Sequence, residues 1–363
     1  MTTPPHRVTY LIDGLNVGGA QVGMARLINQ LNPDRFDITV VGLDGRGKGV
    51  VSLLPEHVTI IDLGIQQKYR FDRLTPLWRC LGQTDILVTS LFHSLVIGSI
   101  LGNLRSVPNI LAWQNSAGHT SSLRRKISRL AFGWCDHILA DSEAVASMLR
   151  EVGVAASNIS VVPIAGVDVE TYQPNTARSS DDGAIRVGSI GQLIPAKNYE
   201  GLIECAAQLD DTFEFHVVGD GPRRDALETL AAERTPDRVT FHGKMPPDEI
   251  PSFLGELDIY FQPSRREGLC ITVIEAMACG LPVVGSMAGG ISESVEHGQT
   301  GLLAPTDAID DHCQHLRILT NDEELRHRYG RAARERVASN YSAEALEANF
   351  LEAISHVTGP PST

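Results

Sequence analysis

Residues Pro263–Pro305 read PSRREGLCITVIEAMACGLPVVGSMAGGISESVEHGQTGLLAP. Within them, the apolar run Ile271–Cys279 has the length and pattern of a buried helix. Gly280 just after it and Pro282 beyond supply a helix stop, and Pro282–Gly285 then reads as a strand. Another strand signal, Ile259–Gln262, lies ahead of it. Strand, helix and strand in this order form a crossover unit, which requires parallel pairing. Glu267 falls in the loop before the helix and Glu275 in its second turn, with seven residues between them. Eight steps at 1.5 Å each span about 12 Å. Carboxylates so spaced accept hydrogen bonds from hydroxyl pairs on one elongated ligand, and the N–H groups near Gly268–Cys270 open the helix toward a phosphate.

The same alternation extends upstream to Ile185. Strands are expected at Ile185–Ile190, Phe213–Val218 and Val239–Phe241, with helices at Tyr199–Leu209, Arg223–Glu233 and Pro247–Glu256. The first half repeats it, with strands at Val8–Ile12, Asp37–Val41, Val58–Ile61, Ile86–Thr89, Asn109–Trp113, His137–Ala140 and Ile159–Val162. Helical patterns there include Gln21–Leu31 and Ala144–Glu151. Pro163–Pro174 and the polar Asn175–Gly183 read as a linker. The expected fold is therefore α/β, with two doubly wound Rossmann-like domains facing a central cleft. Ligands of such sheets sit at the carboxyl ends of the strands. The expected bounds are 1–170 and 171–341, with the helical tail Ser342–Val357 crossing back to the first domain.

The whole chain has 363 residues, 31 Lys+Arg against 44 Asp+Glu, and a formal charge of −13. Length alone suggests about two domains. The acidity argues against nucleic acid, whose phosphates repel a negative surface, but leaves room for a local anion pocket. Val8–Ile12 and Leu91–Leu101 fall short of a signal core or a membrane span. Six cysteines without a C-x-x-C pair give no zinc or redox motif and read as buried thiols in a reducing compartment. The default location is the cytoplasm, with peripheral contact at the inner membrane face as a second reading.

The Glu267–Glu275 segment resembles the E-x7-E signature of the family-4 retaining glycosyltransferases (glycosyltransferase group 1), which have the GT-B fold. Further likenesses occur in the family's order along nearly the whole chain. Gly18-Gly19 is similar to its N-terminal Gly-Gly loop, and Pro163–Pro174 (PIAGVDVETYQP) to its P-N-G-V-D linker, with Ile164 and Ala165 departing from it. Ile190–Asn198 (IGQLIPAKN) resembles G-R-L-x-x-x-K; Val218–Pro222 (VGDGP) matches its second glycine turn, and Gly289-Gly290 with Glu293 its G-G-x-x-E run.

The resemblance implies a donor site made of Gly18, Gly19, Gln192, Lys197, Gly221, Glu267, Gly268, Leu269, Cys270 and Glu275. Lys197 would meet the diphosphate of a nucleotide sugar, Glu267 the sugar hydroxyls and Glu275 the ribose. Glu267, Lys197 and His119 are the catalytic candidates; His93, Gln114, Asn115 and His119 lie on the acceptor side. The implied reaction is retaining hexosyl transfer from a nucleotide diphosphate sugar to a sugar or lipid-linked glycan. It would proceed by front-face displacement and need no cofactor; the chain has no D-x-D pair, which fits metal independence. Taken alone, Lys197 would be a solvated lysine, Glu267 and Glu275 ordinary ion-pair members, and Asp220 a turn residue.

Two further positions depart from the family. Gln192 stands where an arginine partners the lysine, so Arg223, Arg265 or Arg266 would have to replace that charge. Gln114 stands where many relatives have histidine. The alternative is a non-catalytic sugar-nucleotide binder or partner subunit. A dinucleotide-dependent oxidoreductase fails on spacing, because Arg224 occupies the third glycine position after Gly219 and Gly221. Finally, Ser122–Trp134 carries Arg124, Arg125, Lys126 and Arg129 beside Leu123, Ile127, Leu130, Ala131 and Trp134. It reads as a solvated basic face on a helix packed against the sheet; the other reading is attachment to anionic lipid.

Overall fold

The structure, a computed structural model, describes residues 4–45, 47–65, 71–116, 121–175 and 183–358. The expected site residue His119 and most of the polar linker stretch lie outside the described residues. The chain divides into two compact units, Val167–Ser342 and the remainder on either side of it.

The first unit alternates β1 (His6–Gly14), α1 (Gly19–Gln30), β2 (Phe36–Asp44), β3 (Thr59–Asp62), α2 (Thr75–Leu81), β4 (Ile86–Ser90) and α3 (Phe92–Leu104). It continues with β5 (Asn109–Gln114), α4 (Ser122–Phe132), β6 (His137–Ala140), α5 (Glu143–Glu151) and β7 (Ile159–Val161). The seven strands pair in parallel in the order β3-β2-β1-β4-β5-β6-β7. Strands buried on both faces, such as Ile86–Ser90, become continuous apolar runs because helices cover both sides.

The second unit contains β8 (Ile185–Ile190), α6 (Tyr199–Gln208), β9 (Phe213–Val218), α7 (Arg224–Arg234), β10 (Val239–Gly243), α8 (Ile250–Gly255) and β11 (Ile259–Gln262). After them come α9 (Ile271–Ala278), β12 (Val283–Ser286), α10 (Gly290–Ser294), β13 (Gly301–Ala304), α11 (Ile309–Asn321) and α12 (Glu323–Asn340). Its six strands are parallel, ordered β10-β9-β8-β11-β12-β13. The doubly wound α/β architecture expected from the alternation is present in both units. The closing helix α13 (Ala343–Thr358) packs on α1 and β6 of the first unit, where Phe350 stacks on Trp113 at 5.8 Å.

In each sheet the strand order reverses once, between β1 and β4 and between β8 and β11. Loops leaving neighbouring strands there run to opposite faces and open a crevice at the carboxyl edge. Helix α9 anchors the second crevice, because Val273, Ile274, Ala276 and Met277 are fully buried. Each large aliphatic among them contributes about 1.5–3 kcal/mol by leaving water. Among the described residues no helix is long and apolar enough to cross a membrane.

Candidate functional site

At the β8/β11 crevice, Lys197 closes a short 3-10 turn, Pro195–Lys197, that follows β8. Its stem passes beside Gly191, where a Cβ would lie 3.2 Å from the lysine Cε. The Lys197 ammonium donates to Glu267 Oε1 at 2.7 Å, and the side chains are only 17% and 9% exposed. Ser264 Oγ donates to the same oxygen at 2.6 Å. Behind it, Gln262 Nε2 donates to Ser264 Oγ at 2.9 Å, and the Tyr260 hydroxyl donates to Gln262 Oε1 at 3.2 Å. Tyr260, Gln262 and Ser264 are fully buried, so this chain of hydrogen bonds sets the carboxylate before any ligand arrives.

Burial opposes the charge on Lys197, yet Glu267 at 2.7 Å holds the ammonium above the ordinary lysine range. Burial also pushes the Cys270 thiol up to about 12, so it stands beside the pair as a neutral thiol. The result is a desolvated cation held against Glu267.

The loop from Glu267 to α9 is held from behind. Gly290 N–H donates to Gly268 O at 2.9 Å. A Cβ on Gly289 would fall 2.1 Å from Glu267 O, and Gly289 adopts φ +51°. These two glycines are there because backbone meets backbone. Leu269 and Cys270 are buried, and Cys270 caps α9 in the left-handed region at φ 61°. A non-glycine residue in that region stores strain of about 1–3 kcal/mol, which the surrounding packing must enforce.

Glu275, in the second turn of α9, is buried and accepts a 3.0 Å hydrogen bond from the Tyr172 hydroxyl. Tyr172 is held in turn by Arg334, whose guanidinium donates to the carbonyls of Tyr172, Val169 and Ala278. Sequence reasoning missed Tyr172, since no local signal links it to a carboxylate 103 positions away. It missed Gln262 and Ser264 as well, although both stand within five residues of Glu267 and Gln262 ends an apolar strand.

The other expected donor residues are placed as follows. Gln192 is exposed in the turn after β8, and its carbonyl accepts from Ile194 N–H at 2.8 Å. Of the three substitute cations, Arg223 pairs with Glu200 and Arg265 with Asp307, each at 2.7 Å. Arg266 is exposed and has no ion pair among the described residues. Gly221 serves packing, since a Cβ there would sit 2.6 Å from Leu193 O. Asp220 is a turn residue whose carboxylate accepts from Gly221 N–H at 2.8 Å.

The first unit's crevice, at β1/β4, is built differently. Gly18 caps α1 in extended backbone, and Gly19 is its exposed first residue. His93, second in α3, bonds through Nδ1 to Asp13 Oδ2 at 2.9 Å. Asp13 also accepts from Ser94 N–H at 2.7 Å and from Ser94 Oγ at 2.6 Å. Burial pushes the Asp13 carboxyl up, but the His93 and Ser94 hydrogen bonds outweigh it and leave the group below the usual carboxylate range. The hydrogen bond to Asp13 raises His93 above the ordinary imidazole value. Asp13 was not singled out from sequence, although it ends the apolar run of β1.

Nearby, Gln114 Nε2 donates to Ser116 O at 2.8 Å. The Asn115 side chain accepts from Ser90 Oγ and donates to Asp141, each at 2.9 Å. Asp141, buried and also bonded to the Trp113 ring N–H, is pushed up to about 7 by burial. On α4, the cations Arg124, Arg125, Lys126 and Arg129 are exposed, with Arg124 over the Phe92 ring at 4.9 Å. The apolar spacing there misled. Leu123, Leu130 and Trp134 are 65%, 64% and 47% exposed, and the packed face is Ser128, Ala131 and Phe132.

Comparison with known proteins identifies the family. A model of Glycosyltransferase Family 4 matches residues 17–171, and one of Glycosyl transferases group 1 matches residues 175–336. A GDP-mannose-dependent alpha-mannosyltransferase of Mycolicibacterium smegmatis is 32% identical over 243 residues, 64% of this chain and 62% of that protein. An uncharacterised glycosyltransferase of Methanocaldococcus jannaschii is 28% identical over 66% of each chain. This chain thus spans less than two thirds of the length of either curated relative. Among solved structures, Anabaena HepE in complex with UDP and glucose superposes with a TM-score of 0.84 at 20% identity, covering 96% of this chain and 99% of that one. The sucrose-phosphate synthase of Thermosynechococcus elongatus gives 0.82 at 20% identity, over 97% and 99%. With one family model on each unit and the GT-B architecture of these structures, the chain belongs to the group 1, family-4 glycosyltransferases.

Proposed function

We propose that the protein transfers a hexose, or a close derivative, from a nucleotide diphosphate sugar to a sugar or lipid-linked glycan. The observation that carries this reading is the buried Lys197–Glu267 pair at the β8/β11 crevice, with Glu275 on the helix that follows. Anabaena HepE is described with UDP-glucose and the mycobacterial relative as GDP-mannose-dependent, both nucleotide sugars.

In this reading Lys197 takes the charge of the diphosphate as the glycosidic bond breaks, which stabilises the leaving group in a desolvated place. Glu267 turns from the lysine to the sugar hydroxyls, and Glu275 holds the ribose. The acceptor oxygen attacks from the face the diphosphate leaves, a donor phosphate oxygen takes its proton, and configuration is retained. The protein's part is positioning and fixed charge, without a cofactor or bound metal. The first unit, with Asp13, His93 and Asn115 at its carboxyl edge, receives the acceptor.

Thermal-shift screening against nucleoside diphosphates and their sugars identifies the donor, because a ligand that binds only the folded state raises its stability. Transfer assays on Glu267→Ala and Lys197→Ala then test the chemistry. Unchanged turnover in folded variants rejects the site. Tight nucleotide binding without transfer or donor hydrolysis by the unmodified protein turns the reading to a non-catalytic binder.

A second feature bears on the acceptor. Leu123, Leu130 and Trp134 stand exposed among four cations on and just after α4, in a protein of charge −13. Apolar side chains flanked by lysine and arginine suit an anionic lipid surface better than bulk water. Co-sedimentation with phosphatidylglycerol vesicles, lost on changing the four cations to Gln, is the expected result. Equal binding by that variant returns α4 to a solvated face.

A further inference from the structure

The cysteines Cys205, on α6, and Cys313, on α11, lie 108 positions apart in sequence, and neither is exposed to solvent. Both belong to the apolar core of the second unit, alongside Leu202, Ile203, Leu316 and Leu319. Their sulfurs stand 2.6 Å apart. Two unbonded thiols packed only as small apolar groups would rest much further from each other, and a covalent S–S bond is about 2.05 Å. The side chains therefore already point at one another across the helix interface at near-bonding distance.

We propose that Cys205 and Cys313 are a redox-sensitive pair that closes to a disulfide and staples α6 to α11. This inference does not depend on the donor reading, though it touches the same part of the fold. Helix α6 leaves Asn198, the residue after Lys197, and α11 begins two residues after Asp307. Asp307 Oδ1 accepts from Arg265 Nε at 2.7 Å and from Asn198 Nδ2 at 3.4 Å. The staple would fasten the two helices that run out of the loops around Lys197.

The chemistry balances with a peroxide as oxidant. The Cys313 thiolate attacks one peroxide oxygen, the O–O bond breaks, and a sulfenic acid and hydroxide form. The Cys205 sulfur then attacks the sulfenic sulfur, the S–S bond forms, and the S–O bond breaks. Hydroxide takes up the proton released from sulfur, so two thiols and one hydrogen peroxide yield one disulfide and two waters. Arg317 lies near Cys313 and favours its thiolate, and the same balance holds if Cys205 attacks first. Both sulfurs being buried, peroxide gains access only when α6 and α11 part, so closure is slow. Once formed, the bond is shielded from attack by solvent thiols.

The test uses the full-length reduced protein treated with hydrogen peroxide, then alkylated and digested without reductant. Mass spectrometry should find the Cys205 and Cys313 peptides joined, two hydrogens lighter than their sum. Closing a loop of this length should raise Tm by roughly 5–10 °C, a shift that dithiothreitol reverses only when the protein is unfolded in its presence and then refolded. Cys205→Ala and Cys313→Ala should each abolish the shift. If either variant does not fold, the peptide map of the unmodified protein decides alone. Recovery of both cysteines alkylated, over-oxidised or joined to other partners overturns the proposal.

Discussion

The two crevices occupy the same place in their sheets, one beside β1 and β4, the other beside β8 and β11, yet their charges live in different solvents. Both start a helix from a strained non-glycine cap, Leu91 at φ 77° before α3 and Cys270 at φ 61° before α9. In the second unit the Lys197–Glu267 pair is desolvated and backed by buried Ser264 and Gln262. In the first, His93 is 61% exposed and Asp13 25%. The Lys197 ammonium, held above the ordinary lysine range, keeps its charge across ordinary pH. The exposed pair is weakly held and responds to protons. A fixed cation suits a diphosphate, and a titratable imidazole suits an acceptor hydroxyl.

The comparison breaks first, and hardest, at the buried pair. Lys197→Ala leaves Glu267 as an uncompensated buried carboxylate and should cost about 3–5 kcal/mol of stability by denaturant unfolding. Loss of its charge at the leaving group should lower kcat by about 100-fold or more. His93→Ala, by contrast, should shift unfolding by well under 1 kcal/mol, because an exposed pair is screened by solvent.

Next come the glycines. Gly289→Ala places a methyl 2.1 Å from Glu267 O at φ +51°, so the loop must move. A loss of about 2–4 kcal/mol is expected together with weaker nucleotide binding. Gly18→Ala meets only the movable end of Gln21 in extended backbone, and Tm should hold within a few degrees. Equal losses at the two positions would erase the distinction between a crevice wall made of backbone and one that is open.

Tyr172→Phe removes one hydrogen bond to a buried carboxylate, worth about 1.5–3 kcal/mol. If Glu275 holds the ribose as proposed, Tyr172 acts by positioning it, and donor KM should rise several-fold with kcat nearly unchanged. An equal fall in kcat would instead place Tyr172 in the reaction itself.

The smallest effect is the most diagnostic of the exposed pair. His93 is raised in the folded state, so its contribution is full below the unfolded imidazole value near 6.5 and fades as pH rises through the raised folded value. Asp13 is lowered, so its contribution is full above the unfolded carboxyl value near 3.9 and is lost as pH falls through the lowered folded one. The stability gap between the unmodified protein and His93→Gln should therefore be widest near pH 5 and shrink by a few tenths of a kcal/mol toward pH 8. Lys197, raised further and buried, should show no such change over that range when Lys197→Met is compared with the unmodified protein.

Much of the fold was legible because its signals are local. The strand at His137–Ala140 and the helix from Ile271 were readable from apolar runs bounded by glycine and proline. Helix α12 was not, because its buried residues Tyr329, Gly330, Ala333 and Val337 form a thin stripe in a strongly charged sequence. On α4 the spacing misled, since Leu123 and Leu130 fall on the solvent side and only packing tells which stripe is inward.

By itself, the sequence determined the alternation of strand and helix, the spacing of Glu267 and Glu275 on one loop-and-helix unit, and the lysine that follows β8. The alternation follows from periodicity and from glycine and proline punctuation, which act over a few residues, whereas the lysine stood out only through the family resemblance. Only the tertiary structure decided that Lys197 neutralises Glu267, that Tyr172 grips Glu275, and that Cys205 meets Cys313. Each of these joins residues 70 or more positions apart. Such pairs are chosen when the sheet closes and water leaves, and a local pattern carries no record of which distant side chain will then be left within hydrogen-bonding reach.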